Sequence, residues 1–286
     1  MTDSDEVRPF PRRFVGRGVL VTGGGSGLGL ACAKRLVAEG AIVTLCGRDE
    51  ARLKEAAVLL GQGVHTARCD VTDEDSVAEA VEAARGNAGR LDHAVVNAGS
   101  GGAGPVLTTD KRNWDAVIAT NLTGSMLTIK HAGRAIAESD GGSIVAISSI
   151  AGILSHRFMV AYNASKAGLE MLVRTAADEM GVINVRVNAV RPGIVPTDAT
   201  DVLMKIESVK QDYLDKMPLS RIGTGEDVAS ATAFLLSDES AWITGEILNV
   251  DGGHHLRGGP NIDGVLALGT SREFIASAGL HQGETV

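Results

Sequence analysis

Cysteine, positive charge and long apolar runs are all scarce in this chain, and each scarcity closes off a class of function. Three cysteines, Cys32, Cys46 and Cys69, are too few and too widely spaced for a disulfide framework or a zinc site. Their odd number suits a reducing compartment, so a cytoplasmic protein is expected. No block of Lys and Arg occurs and the formal charge is −8, which argues against a nucleic-acid partner, because phosphate binding needs clustered cations. The least charged stretches, around Ala94 to Thr109 and Gly141 to His156, are broken by Gly, Ser, Thr and Pro. They fall short of the roughly 18 apolar residues of a membrane span, and Met1 to Arg13 has no signal-peptide pattern, so no membrane partner is expected. With 44% apolar and 22% charged residues, the chain is neither disordered nor collagen-like. Aromatics reach only 3%, whereas 36 of the 286 residues are glycine, well above the usual share of about 7%. Many backbone positions therefore need tight geometry or close approach to something.

Short Val/Ile-rich runs recur at Val19 to Val21, Ile42 to Leu45, Ala94 to Val96, Ile144 to Ile147, Val185 to Val190 and Ile247 to Val250. Helical spacing fills the intervals. Leu28, Cys32 and Leu36 repeat at i, i+4, i+8, and Asp73 to Ala84 opens with acidic residues and carries Val77 and Val81 one turn apart. Strands alternating with helices of this length imply βαβ units. The expected fold is α/β, a doubly wound parallel sheet of about seven strands with helices on both faces. No linker or repeat divides residues 15–253, which read as one catalytic domain. Residues 1–14 read as an arm, and 254–286 as an extension that would cover the site or a subunit interface, with a short apolar stretch at Val265 to Leu268 and a last helix near Ser271 to Ala278.

Directly after the first strand comes Thr22-Gly23-Gly24-Gly25-Ser26-Gly27-Leu28-Gly29, opening the first helix. Glycines there let a backbone approach a pyrophosphate, and the N–H groups of the helix start hold its charge. The spacing is TGxxxGxG. Farther on stand Asn97-Ala98-Gly99, Asn121 in NLTG, Ser149 in IVAISS, Tyr162 and Lys166 in YNASK, Pro192-Gly193 with Thr197, the run Pro218 to Ala229, and Asp251-Gly252-Gly253. In this order, over residues 15–253, these motifs resemble the short-chain dehydrogenase/reductase family, including its 3-oxoacyl carrier-protein reductases and hydroxysteroid dehydrogenases.

The resemblance implies an oxidoreductase that moves a hydride between a nicotinamide and a secondary alcohol or ketone. Tyr162 and Lys166 stand four apart and so share a helix face; a cation near the phenol is expected to lower its pKa from about 10 and make Tyr162 the acid/base. Ser149, thirteen residues before Tyr162 at a strand end, would orient the substrate oxygen. Ser148 is its rival, but strand alternation sends that neighbour the other way. Asn121 resembles the asparagine of a proton relay behind the lysine, and Asn97 is read as fixing the backbone around the cofactor. The cofactor set implied is Gly23, Gly25, Ser26, Gly27, Leu28, Gly29, Asn97, Ala98, Gly99, Tyr162, Lys166, Pro192, Gly193, Ile194 and Thr197, with Asp70 and Val71 beside the adenine after the third strand.

NAD-preferring relatives place an acid at the end of the second strand. That position is Gly47 here, followed by Arg48, a guanidinium suited to a 2′-phosphate, so NADP(H) is expected, with NAD(H) the other option. Ser26 stands where many NADP-using relatives carry a second basic residue. Asp49 would be the rival ribose acid but is read as a helix N-cap. Ser155, Phe158, Met159 and the loop Ser100 to Pro105 would border a substrate site under a lid spanning Asp198 to Met217, implying a mostly apolar carbonyl or alcohol substrate. His131, His156, His254 and His255 form no ligand set, so no metal is expected. The family resemblance implies a homotetramer or homodimer joined through the Tyr162 helix and the last strand. A silent dinucleotide-binding sensor would have lost Ser149, Tyr162 or Lys166, and a sugar-nucleotide epimerase would show TGxxGxxG and a larger C-terminal domain.

Overall fold

The computed structural model describes residues 12–198 and 200–257. The stretches Val265 to Leu268 and Ser271 to Ala278 lie outside the described residues. Seven strands form one parallel sheet: β1 (Gly18–Thr22), β2 (Ile42–Gly47), β3 (Val64–Arg68), β4 (His93–Val96), β5 (Gly142–Ile147), β6 (Val185–Pro192) and β7 (Ile247–Val250), in the order β3-β2-β1-β4-β5-β6-β7. The doubly wound α/β expectation is met. Order reverses between β1 and β4, which pair through Val19 with His93 and Val21 with Val95, and ligand crevices open beyond strand ends at such a switch.

Helices α1 (Gly27–Ala38), α2 (Glu50–Leu60), α3 (Glu74–Ala88), α4 (Lys111–Ile118), α5 (Gly124–Ala137), α6 (Val160–Met180), α7 (Asp201–Met204), α8 (Glu207–Lys216) and α9 (Gly225–Leu236) connect the strands. Cys32 and Leu36 of α1, Leu53 of α2 and Leu235 of α9 pack with Val43 and Val145 on one face of the sheet. On the other face, Val77 and Val81 of α3, Ile136 of α5 and Val173 of α6 meet Leu20 and Ile144. The central strands are buried on both faces, which is why they read as unbroken Val/Ile runs. Strand β3 is the exception: as an edge strand it exposes His65 and Thr66, and VHTAR offers no such run.

Two ends of the domain pack more closely than the sequence suggested. Phe14, assigned to the arm, is buried in the core edge-on to His93, and Arg13 grips Glu39 at 2.6 Å. At the other end the short turn His254–Leu256 continues the packed chain and buries His254. Among the described residues no helix is long and apolar enough to cross a membrane.

Candidate active site

Helix α6 contains no proline and is rich in alanine, so it runs unbroken for 21 residues. Tyr162, Lys166 and Glu170 therefore line one face at successive turns. That face locks onto two consecutive residues at the end of β5, with a third beside it. Lys166 Nζ donates to the Ile147 carbonyl at 2.8 Å, the Ser148 hydroxyl donates to Glu170 Oε1 at 2.8 Å, and Ser149 shares the cavity with Tyr162. Alternation along the strand thus separates the two serines as expected. Both residues line the cavity, but the Ser148 hydroxyl is spent on a buried carboxylate, whereas Ser149 caps the short turn after it, accepting from Ala151 N at 3.2 Å.

The electrostatics correct one expectation. Burial pushes the Tyr162 phenol above its ordinary value, and the neighbouring Ser149 hydroxyl only partly offsets this. Lys166 Nζ lies 5.7 Å from the Tyr162 ring centroid and is itself lowered to about 8 by burial, with Glu170 opposing the shift. In the protein alone the phenol therefore stays protonated at neutral pH rather than being drawn toward the phenolate.

Beyond β1 the glycine turn has the shape its sequence implies. Gly23 takes φ +63°, and a Cβ there would come within 2.9 Å of Asn97 Nδ2, while a Cβ on Gly29 would meet the Gly23 carbonyl at 2.3 Å. Asn97 holds this turn by donating to the Thr22 and Gly23 carbonyls at 3.0 and 3.2 Å, so its role in fixing backbone geometry agrees with the sequence reading. The start of α1 has no side-chain cap and no acidic residue in its first turn. By contrast α2, α3 and α9 are all capped by side chains, with acids in their first turns. Bare N–H groups beside a glycine cradle fit the pyrophosphate of a dinucleotide.

Both features open onto one cavity of about 390 Å3 at the carboxyl ends of the strands. Of the residues singled out from sequence, Gly23, Ser26, Gly27, Leu28, Asn97, Ala98, Gly99, Ser149, Tyr162, Lys166, Pro192, Gly193, Ile194 and Thr197 all line it. Gly25 sits behind the turn against Arg52, and Gly29 is buried where α1 meets β1. Val71 is buried at the end of β3 against Gly124; Arg48 is exposed beyond β2. Asp70 is half-buried, and its carboxyl is held below the ordinary range by hydrogen bonds from Thr72 and, in smaller part, by the charge of Arg48. Asp49 caps α2, accepting from Ala51 N and Arg52 N at 3.1 Å, as read from sequence. Asn121 is fully buried in a π-helical turn, Ala119–Thr123, where its amide donates to the Ser100 carbonyl at 2.9 Å and to Ser165 Oγ at 3.0 Å. Its side chain clamps the loop after β4 to α6.

At the substrate end Met159, Ser100 and Gly101 line the cavity as anticipated, but the rest of the loop, Gly102 to Pro105, does not, nor do Ser155 and Phe158, Phe158 being half exposed. Among the polar and charged lining residues, His156, Tyr213 and Arg52 were not assigned to the site from sequence. His156 looked incidental, Tyr213 carried no motif, and Arg52 lies in the first turn of α2, past the strand-end position that the sequence reading searched for a phosphate-binding cation.

Comparison with known proteins agrees with this geometry. Residues 23–255 match the family model described as Enoyl-(Acyl carrier protein) reductase. The chain is 38% identical over 242 residues to 2-(S)-hydroxypropyl-CoM dehydrogenase 3 of Xanthobacter autotrophicus, covering 82% of this chain and 95% of that one. It is 35% identical to the 3-oxoacyl-(acyl-carrier-protein) reductase MabA of Mycobacterium tuberculosis, covering 84% and 93%. A solved short-chain type dehydrogenase/reductase from Mycobacterium ulcerans superposes with a TM-score of 0.83 at 40% identity, over 91% of this chain and 97% of that one. Relatives that match along nearly their whole length, in sequence and in backbone, make the chain a member of the short-chain dehydrogenase/reductase family of NAD(P)-dependent oxidoreductases.

Proposed function

We propose that the protein interconverts a secondary alcohol and a ketone, with Tyr162 as the acid/base. The observation that carries this reading is the lock between β5 and α6, which sets the Ser149 hydroxyl, the Tyr162 phenol and the Lys166 ammonium side by side in the cavity that the glycine turn also lines. The turn from Gly23 to Leu28, with Asn97 to Gly99, Lys166 and Thr197, would hold a nicotinamide dinucleotide, which when bound would supply or take the hydride. Tyr162, protonated at neutral pH, gives its proton to the carbonyl oxygen during reduction and recovers it during oxidation. Ser149 donates to the same oxygen and fixes its direction. Lys166 brings positive charge to the proton-transfer site, and Asn121 keeps the loop and helix that frame it in place. The test is a panel of ketones and alcohols followed at the nicotinamide absorbance with NADPH and NADH; no turnover of any secondary alcohol or ketone would overturn the reading.

NADP(H) is the preferred cofactor in this reading. With the Asp49 carboxylate engaged as an N-cap, Arg48 is left as the charged group at the end of β2. Arg48→Ala is expected to lower the NADPH-to-NADH ratio of kcat/KM by about tenfold or more, the scale of a charge-assisted hydrogen bond. A ratio unmoved by the substitution contradicts the assignment.

The pH profile has a definite sign. Reduction needs the Tyr162 proton and the Lys166 charge, and the lower of the two values is that of Lys166, about 8. Ketone reduction should therefore be level through neutral pH and fall as pH rises past about 8. A rate that climbs across that range would contradict the assigned protonation states.

A further inference from the structure

Besides Ser149 and Tyr162, two further polar side chains line the same cavity. His156 precedes α6, and Tyr213 comes from α8 in the lid. Their rings lie 6.5 Å apart, and His254 braces Tyr213 edge-on from behind at 5.7 Å. The imidazole of His156 sits with Nδ1 3.0 Å from the Leu154 carbonyl, which can only accept, so in the neutral ring Nδ1 bears the N–H and Nε2 is the acceptor. Among the described residues, neither Nε2 nor the Tyr213 hydroxyl has a hydrogen-bond partner in the protein. Burial keeps the Tyr213 phenol protonated, reinforced by Asp212 and by Tyr162, whose proximity opposes ionisation of a second phenol.

The cavity thus presents a donor, the Tyr213 hydroxyl, beside an acceptor, His156 Nε2. A hydroxyl group satisfies both at once; a carbonyl satisfies only the donor. No cation beside His156 and Tyr213 invites an anionic tail: of the two lysine and arginine side chains that line the cavity, Lys166 is held at the reacting centre by the Ile147 carbonyl, and Arg52 is paired with Asp198 at 3.3 Å. We propose that Tyr213 and His156 form a subsite for an uncharged hydroxyl on the substrate, so that the preferred ketones are hydroxyketones and the matching alcohols are diols. This rests on the carbonyl–alcohol reaction proposed above and replaces the mostly apolar substrate expected from sequence with one bearing a second oxygen.

The test compares 3-hydroxy-2-butanone and 4-hydroxy-2-butanone with 2-butanone, whose carbon skeleton is the same. The better of the two hydroxyketones is expected to exceed 2-butanone in kcat/KM by about tenfold or more, since a site built around a hydroxyl rejects the analogue lacking it. In Tyr213→Phe and in His156→Leu that ratio should fall toward one. A wild-type ratio near one, or a ratio unmoved in both variants, overturns the subsite. Failure of every ketone to turn over would strike the proposed reaction instead, so binding is read separately. Saturation-transfer NMR of 2,3-butanediol against 2-butanol should show stronger transfer to the diol, lost in Tyr213→Phe; equal transfer to the two alcohols overturns the subsite whether or not the protein turns over.

Discussion

Tyr162→Phe is expected to cut ketone reduction by about a hundredfold to ten-thousandfold while leaving the fold intact, the range over which a positioned general acid contributes. The ring would still pack before Lys166, so only the oxygen is removed. Without it, no other group at that place holds a transferable proton: the Ser149 hydroxyl is a far weaker acid, and the Lys166 ammonium is directed at the Ile147 carbonyl. Because the dinucleotide contacts assigned to the glycine turn do not involve the phenol, NADPH binding measured by fluorescence should change little. Near-normal turnover in this variant contradicts the acid/base assignment, and lost cofactor binding would mean that the phenol oxygen helps to hold the dinucleotide.

Arg191→Met should be the most destabilising of the substitutions considered. On β6, Arg191 clasps Glu170 with two bonds, Nε to Oε1 at 2.8 Å and Nη2 to Oε2 at 2.6 Å, and also donates to Asn249 Oδ1 at 2.6 Å. Both members of the pair are almost fully buried. Removing the guanidinium strands a carboxylate away from water, which costs about 3–5 kcal/mol. For a domain of this size that is a fall in Tm of about 6–20 °C. The double variant Arg191→Met with Glu170→Met should regain most of the loss, because breaking a buried pair is worse than deleting it. If the single and double variants melt together, the stranded charge is not the cause. Activity should fall in the single variant as well, since Glu170 anchors Ser148, the neighbour of Ser149, and follows Lys166 by one turn.

What the sequence disclosed and what it withheld divide along the range of the interactions involved. The glycine turn, the spacing of Tyr162 and Lys166, the Asp49 cap and the alternation of Ser148 and Ser149 are local features, set within a turn of helix or two residues of strand. Strand β3 was harder to read because an edge strand needs no unbroken apolar run. Tyr213 was invisible: it lies some fifty residues beyond Tyr162, on a helix with no recognisable motif, and only the folding of the lid brings it to His156. The direction of the Tyr162 pKa was misjudged for a related reason. Spacing on a helix reveals the nearby ammonium, whereas the burial that outweighs it is a property of the assembled site.

The central claim is that this cavity passes a hydride to a carbonyl carbon while Tyr162 protonates the oxygen. Its most direct test is to supply NADPH deuterated at each face of nicotinamide C4 in turn and to weigh the alcohol formed from a ketone substrate. The account predicts one deuterium on the carbinol carbon from one face only, with formation of that labelled alcohol nearly abolished in Tyr162→Phe. Alcohol that forms without the label, or labelled alcohol formed equally fast by Tyr162→Phe, would contradict it.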